Sequence, residues 1–181
     1  MSFRIATMRD LDRIEEIYSQ IHDEEEAGRA AIGWIRAIYP TRSTAETAIQ
    51  RGTMFVEEVD DRVVAAAKID QEQVPEYADA AWTVAAPESR VLVLHTLVVS
   101  PAESGKGYAT AFVRFYEEVA RERGCPYLRM DTNARNAAAR ALYRKLGYRE
   151  IDTVSCVFNG IPGVRLVCLE KTLKNTEGVL L

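Results

Sequence analysis

Hydrophobic positions recur along the chain in two rhythms, and the changes of rhythm mark its elements. Residues 3–6 predict a short first strand. After Asp10, read as a helix cap, Leu11, Ile14, Ile17, Tyr18 and Ile21 fall at helical spacing. Residues 30–39 (AAIGWIRAIY) predict a second helix ended by Pro40, and 43–50 (STAETAIQ) a third capped by Ser43 or Thr44. Two β-type runs, 53–59 and 62–69, flank the Asp60-Asp61 turn and predict a hairpin. Residues 70–88 lack a clear period and carry Pro75 and Pro87, which predicts a long excursion.

The run 91–99 (VLVLHTLVV) is apolar on both parities and predicts a central strand buried on both faces. A proline and small-residue turn follows, with Gly105 and Gly107 around Lys106, and then a helix over 108–123. That helix is apolar at 108, 112, 115, 116 and 119 and is closed by Gly124. Residues 126–130 predict a strand. Residues 136–146 predict a helix with Ala138, Ala141, Leu142 and Leu146 inward and Gly147 as terminator. Strand, helix and strand in this order imply a parallel pair joined by a crossover helix. Residues 148–158 and 164–170 predict two final strands around a turn-rich 159–163, and 175–181 a loose tail.

Composition narrows the function. A chain of 181 residues with 48% hydrophobic positions has enough for one core, read as a single domain over 1–174. No apolar run approaches the roughly 18 residues of a membrane span, and residues 1–18 carry charges throughout in place of a signal-peptide core; a cytoplasmic protein is expected. The net charge of −4 argues against a general nucleic-acid surface. Cys125, Cys156 and Cys168 lie in or beside apolar segments without metal spacing and read as buried free thiols. With His22 and His95 the chain's two histidines, no metal site is expected. The acidic run 23–26 reads as a solvated face or loop, with a substrate-facing role as the alternative. A small-molecule partner fits this balance best.

The glycine turn carries the first chemical signal. Glycines leave backbone amides bare where the 108–123 helix begins, so free N–H groups and the positive end of a helix dipole converge on one spot, suited to phosphate. The second signal lies at 136–148 (NAAARALYRKLGY). Together they resemble the GNAT superfamily of acyl-CoA-dependent N-acetyltransferases, over roughly residues 3–173. Residues 104–109 (SGKGYA) are similar to that family's phosphate turn, Q/R-x-x-G-x-G/A, with Gly107 and Ala109 in place and Ser104 replacing the Gln or Arg. Asn136, Ala139, Leu142, Tyr143, Lys145 and Gly147 match N-x-x-A-x-x-L-Y-x-K-x-G-F, with Tyr148 for the Phe. The fold so implied is α/β (α+β): a GNAT-like mixed, mostly antiparallel sheet of six to seven strands, with one splayed parallel pair and helices on both faces.

The resemblance also implies a site. The pyrophosphate of coenzyme A would rest on the turn formed by Ser104, Gly105, Lys106, Gly107, Tyr108, Ala109 and Thr110. The pantetheine arm would pair like an extra strand with the backbone at Leu97, Val98 and Val99. Asn136, helped by Asn133, would bond the arm from the other side, beside Ala139 and Tyr143. Acetyl-CoA is then the co-substrate, with no metal.

The reaction itself makes two demands. An amine of pKa near 10.4 is only about one part in a thousand neutral at pH 7, so its proton must be removed; the thiolate leaving group also benefits from a proton. Tyr143 matches the family's general acid. Where such families often use a Glu on the central strand, this chain has Val93. His95 is the nearest titratable residue on that strand, sharing the face of 93 and 97 unless a bulge intervenes. The base stays open between His95, the 24–26 carboxylates, Asp70 and water. Trp34, Tyr39, Tyr77 and Trp82 are candidate contacts for the acceptor, otherwise core or loop packing.

The leading reading is transfer of an acetyl group from acetyl-CoA to a primary amine of a small molecule, by direct attack in a ternary complex. No cysteine stands in a nucleophile setting. The alternatives are a non-catalytic acyl-CoA sensor and a peptide or protein N-terminal acetyltransferase. A homodimer is compatible with the sequence but not specified by it.

Overall fold

The computed structural model describes residues 1–174; the predicted tail lies outside the described residues. Seven strands form one sheet: β1 (Ser2–Ile5), β2 (Met54–Val59), β3 (Arg62–Asp70), β4 (Val91–Val99), β5 (Tyr127–Asn133), β6 (Arg149–Phe158) and β7 (Ile161–Thr172). Their order is β1-β2-β3-β4-β5-β7-β6. Every neighbouring pair is antiparallel except β4 and β5. Two tight turns close its hairpins. Asp60 and Asp61, at φ 50° and 58°, join β2 to β3, and Asn159 and Gly160, at φ 50° and 80°, join β6 to β7. Both are two-residue, left-handed turns that match the twist of the strands they connect. The second is shorter than the 159–163 segment the sequence suggests, because β7 begins at Ile161.

Four helices cover the sheet: α1 (Leu11–Glu26), α2 (Arg42–Gln50), α3 (Tyr108–Glu122) and α4 (Ala137–Lys145). The apolar stripes of α1 and α2, among them Ile14, Ile17, Ala45 and Ile49, pack on Val56, Ala66 and Val98. On the opposite face Phe112, Val113 and Tyr116 of α3, with Tyr143 of α4, pack on Phe55, Ala65, Leu92 and Leu94. Each fully buried side chain of this size contributes roughly 1.5–3 kcal/mol, so the two stripes anchor the layers. The 70–88 excursion, which holds short 3₁₀ turns, covers Val91, Val93 and Leu166 through Tyr77.

Some local expectations fail, each for a visible reason. Residues 30–39 are not a helix: Gly33 sits at φ +84°, and Ile35 and Tyr39 form an isolated antiparallel bridge. The acidic run before this segment is the end of α1 and acts as its clasp. The Glu25 carboxylate accepts from the amides of Ile32 and Gly33 at 2.5 and 3.1 Å, and Arg36 pairs with Asp23 and Glu26 at 2.6 and 2.8 Å. Asp10 holds the N-cap position of α1, as expected, but its side chain makes no cap bond to that helix. It accepts from the Thr7 amide at 2.8 Å and pairs with Arg4 at 2.8 Å, closing the turn before the helix. Thr41, not Ser43 or Thr44, is the N-cap of α2, and Thr44 Oγ1 accepts from its amide at 3.0 Å. On α4, Ala138 and Ala141 are exposed, whereas Ala139, Leu142, Tyr143 and Leu146 face the core.

Candidate functional site

The parallel pairing of β4 and β5 runs from Val91 with Tyr127 to Leu94 with Met130 and stops there, although both strands continue. Beyond that point they diverge. Thr96 is the cause within β4: it adopts φ +53°, and the register with β3 shifts between Ala66 and Lys68, so one extra β4 residue is inserted. A bulge of this kind bends its strand and breaks the ladder locally. It also overturns the simple parity of the strand. Val91 and Val93 face the cluster of Tyr77 and Leu166, whereas Leu97 and Val99 pack towards α3; the register is unbroken from Val93 to His95, so His95 keeps the face of Val93 and Leu97 does not.

The gap opens into a cavity of about 860 Å³. Leu97, Val98, Val99 and Ser104 line it from β4 and the following turn; Asn133, Asn136, Ala139 and Tyr143 line it from β5 and α4. The sequence-predicted residues of these two motifs therefore meet around one space. Gly105, Lys106, Gly107, Tyr108, Ala109 and Thr110 follow Ser104 outside the lining, as the exposed turn and first residues of α3. Gly105 and Gly107 have φ +79° and +90°, and a Cβ built on either meets nothing within 4 Å, so the space over this turn is open. The first amides of α3 have no carbonyl one turn back to bond. Lys106 is paired with Glu103 at 2.7 Å. Asn136 caps α4, its Oδ1 accepting from the Ala139 amide at 3.1 Å, which leaves its amide nitrogen for another partner.

Polar groups cluster where the strands part. His95 Nε2 lies 3.2 Å from Asp70 Oδ1, and Lys68 Nζ 3.1 Å from Asp70 Oδ2. Burial opposes the charge on Asp70, but these two partners outweigh it and hold the carboxyl below its usual range. Tyr39, whose hydroxyl is bonded to Thr96 Oγ1, is pushed up to about 12, chiefly by burial. Tyr143 is likewise raised by burial, with Asp131 adding to the effect, and stays protonated at neutral pH.

Asp131 is the residue the sequence reading passed over. It lines the cavity from β5, and Tyr77 donates to its Oδ2 at 2.7 Å. A signal was present: Arg129 and Asp131 alternate as charged positions in a central strand, where charges are scarce without a purpose. Of the four aromatic candidates, Trp34 and Tyr39 line the cavity and Tyr77 and Trp82 do not. Tyr77 is buried behind Asp131, and Trp82 packs on it at 4.9 Å while carrying the Arg129 guanidinium over its ring at 4.1 Å. Trp82 is thereby a brace for the excursion. Of the 24–26 carboxylates, Glu24 reaches the lining but is paired with Arg29 at 2.8 Å. Cys125 and Cys168 are buried free thiols, and Cys156 is half-buried. Among the described residues no helix is long and apolar enough to cross a membrane, and no group of three His, Cys, Asp or Glu is placed to hold a metal ion.

A seven-strand mixed sheet, opened at its one parallel pair under a glycine turn, defines a mixed α/β architecture with a slot between two strands. The chain belongs to the GNAT acetyltransferase family: the family's model matches residues 11–148. Solved structures repeat the fold. A GNAT-family acetyltransferase from Streptococcus agalactiae superposes with a TM-score of 0.80 at 21% identity, covering 96% of both chains. A ribosomal-protein-alanine N-acetyltransferase from Brucella melitensis gives 0.70 at 21%, covering 96% of this chain and 100% of its own. A protein from Salmonella typhimurium, solved with its cofactor acetyl-CoA, gives 0.69 at 18%, covering 98% and 96%. At these identities the likeness is one of fold. A search of curated proteins returned no match.

Proposed function

We propose that this protein transfers an acetyl group from acetyl-CoA to a primary amine of a small molecule, by direct attack in a ternary complex. The observation that carries this reading is the slot between β4 and β5. It begins beside the glycine turn and ends among His95, Asp131 and Tyr143, so a donor bound at the turn would present its thioester to those groups. The amides from Gly105 to Thr110 would hold the pyrophosphate, and the free backbone of β4 beyond Leu94 would hold the pantetheine arm.

Within that complex, His95, oriented by Asp70, takes the proton of the attacking ammonium, directly or through water. The neutral amine attacks the thioester carbonyl and the C–N bond forms; the C–S bond breaks as Tyr143 donates its hydroxyl proton to the departing thiolate, and the second proton shed by the acylated nitrogen, relayed through water, restores the Tyr143 hydroxyl. The raised pKa of Tyr143 keeps that proton available at neutral pH. Ser104 in place of the family's longer side chain leaves the backbone contacts of the turn intact.

The test has two parts. Acetyl-CoA near a hundred times its dissociation constant should add about 2.7 kcal/mol of stability if it binds the folded protein alone. Free-thiol release should then follow addition of one or more amines from a panel of polyamines, aminoglycosides, amino acids and peptides. Absence of a thermal shift would refute donor binding. A shift without turnover on any amine would leave an acyl-CoA sensor.

A further inference from the structure

Asp131 has no part in the steps above. It is the first residue of β5 past the last parallel pair, Leu94 with Met130, and lines the cavity with His95, Tyr39 and Tyr143. One carboxylate oxygen, Oδ2, accepts from the neutral hydroxyl of Tyr77 at 2.7 Å. That hydroxyl is itself held in place, because Tyr77 is buried under the Trp82 ring. The cationic side chains lining the cavity are engaged with other carboxylates: Lys68 and His95 with Asp70, Arg29 with Glu24, and Arg51 with Glu72.

A carboxylate in this position carries a desolvation penalty that a neutral donor offsets only in part. Burial accordingly pushes Asp131 up, against the opposing pull of Tyr77 and His95. A bound cation would remove the penalty by supplying the charge partner the protein withholds. The surroundings suit an ammonium: Trp34 and Tyr39, edge to face at 6.0 Å, bring aromatic rings to the same cavity.

Resting on the acetyl-transfer reading above, we propose that Asp131 receives the acceptor's ammonium group and thereby selects primary amines that carry no carboxylate on the amine-bearing carbon. An α-carboxylate would be carried against the Asp131 carboxylate whenever the amine was seated, and like charges brought together disfavour that acceptor. The acceptor class is then an alkyl or arylalkyl amine, in preference to a free α-amino acid.

Two probes that differ by that one carboxylate separate the cases: phenethylamine and phenylalanine, titrated calorimetrically into protein saturated with coenzyme A. Wild type should bind phenethylamine at least about tenfold more tightly, the scale of a close like-charge mismatch. Asp131→Asn should bring the two affinities within about threefold of each other, mostly by weakening the amine. Asp131→Glu, which keeps the charge, should retain the preference and remains informative if the Asn variant does not fold. An unchanged preference in Asp131→Asn, no preference in wild type, or no binding of phenethylamine would each overturn the proposal. The thermal shift with acetyl-CoA is measured on the same proteins. A normal shift beside a failed preference rejects the role of Asp131 alone, whereas loss of the shift in wild type rejects the acetyl-transfer reading on which it rests.

Discussion

Gly107 and Gly124 stand at opposite ends of α3, at φ +90° and +66°, and a Cβ at either would meet nothing within 4 Å. Replacing either by Ala therefore introduces backbone strain without a clash. The left-handed region costs an L residue about 1–2 kcal/mol, and the reduced freedom of the unfolded chain returns about 0.4–1 kcal/mol. A net loss of about 1 kcal/mol should lower the Tm of a chain of this size by about 2–4 °C, and by a similar amount in both variants. The ligand distinguishes them. A methyl at 107 projects into the open space over the free amides of α3, where the pyrophosphate is proposed to sit, while one at 124 lies at the far end of the helix. Gly107→Ala should weaken acetyl-CoA at least about tenfold, removing about 1.4 kcal/mol of ligand-induced stability. Thermal unfolding of wild type and both variants, with and without acetyl-CoA, reads strain and binding separately. A full acetyl-CoA shift in Gly107→Ala, or an equal loss in Gly124→Ala, would refute the placement of the phosphates on this turn.

The other expectations concern single side chains. Tyr143→Phe should slow turnover by roughly ten to ten thousandfold with acetyl-CoA affinity little changed, as loss of one general acid would; steady-state kinetics beside donor titration checks it, and unchanged turnover would remove Tyr143 from the chemistry. His95→Ala should lose roughly a hundredfold or more of kcat/KM for the amine, and Asp70→Asn a smaller part of it, because Asp70 orients His95 without touching substrate. Equal, small losses in both would return the pair to a structural role. Glu57 is fully buried on β2 with both carboxylate oxygens unpartnered among the described residues, and burial, partly offset by the amino terminus, raises it to about 7. Its folded pKa lies above the unfolded value near 4.3, so its ionisation destabilises the fold increasingly as pH rises from about 4.3 through about 7. Glu57→Gln should thus exceed wild type by roughly 1–3 kcal/mol at pH 8 and lose most of that advantage at pH 5; denaturant melts at the two pH values decide it, and a gain independent of pH would contradict the burial argument.

Much of this fold is legible in local patterns because local physics dictates it. The apolar run 91–99, the glycine turn and the stripe of α3 each follow from residue types within one or two turns of chain. Other features depend on partners distant in sequence. The 30–39 segment has helical periodicity, yet Gly33 lies against Asn133, where an added Cβ would sit 2.4 Å from the side-chain nitrogen, and Glu25 binds its amides. Those contacts override its propensity. The parity of β4 likewise fails at Thr96, since an inserted residue is visible only against the register of β3. Tyr77 and Trp82 show why aromatic residues on a loop are ambiguous: the same side chains that would face a ligand from outside pack inward once Asp131 and Arg129 lie beneath them.

The family, the glycine turn before α3 and the Asn136–Tyr143 motif were thus legible in sequence alone, because they rest on short motifs whose geometry is local: glycines at the start of a helix, and an asparagine cap seven residues before a tyrosine. Only the tertiary structure decided what lines the gap between β4 and β5. The end of β4–β5 pairing after Leu94, the meeting of His95 with Asp70 and the exposure of Asp131 to the cavity all join strands that are separated in the chain. Periodicity places a side chain on a face of its own element; it takes the register between elements to say which other face it meets.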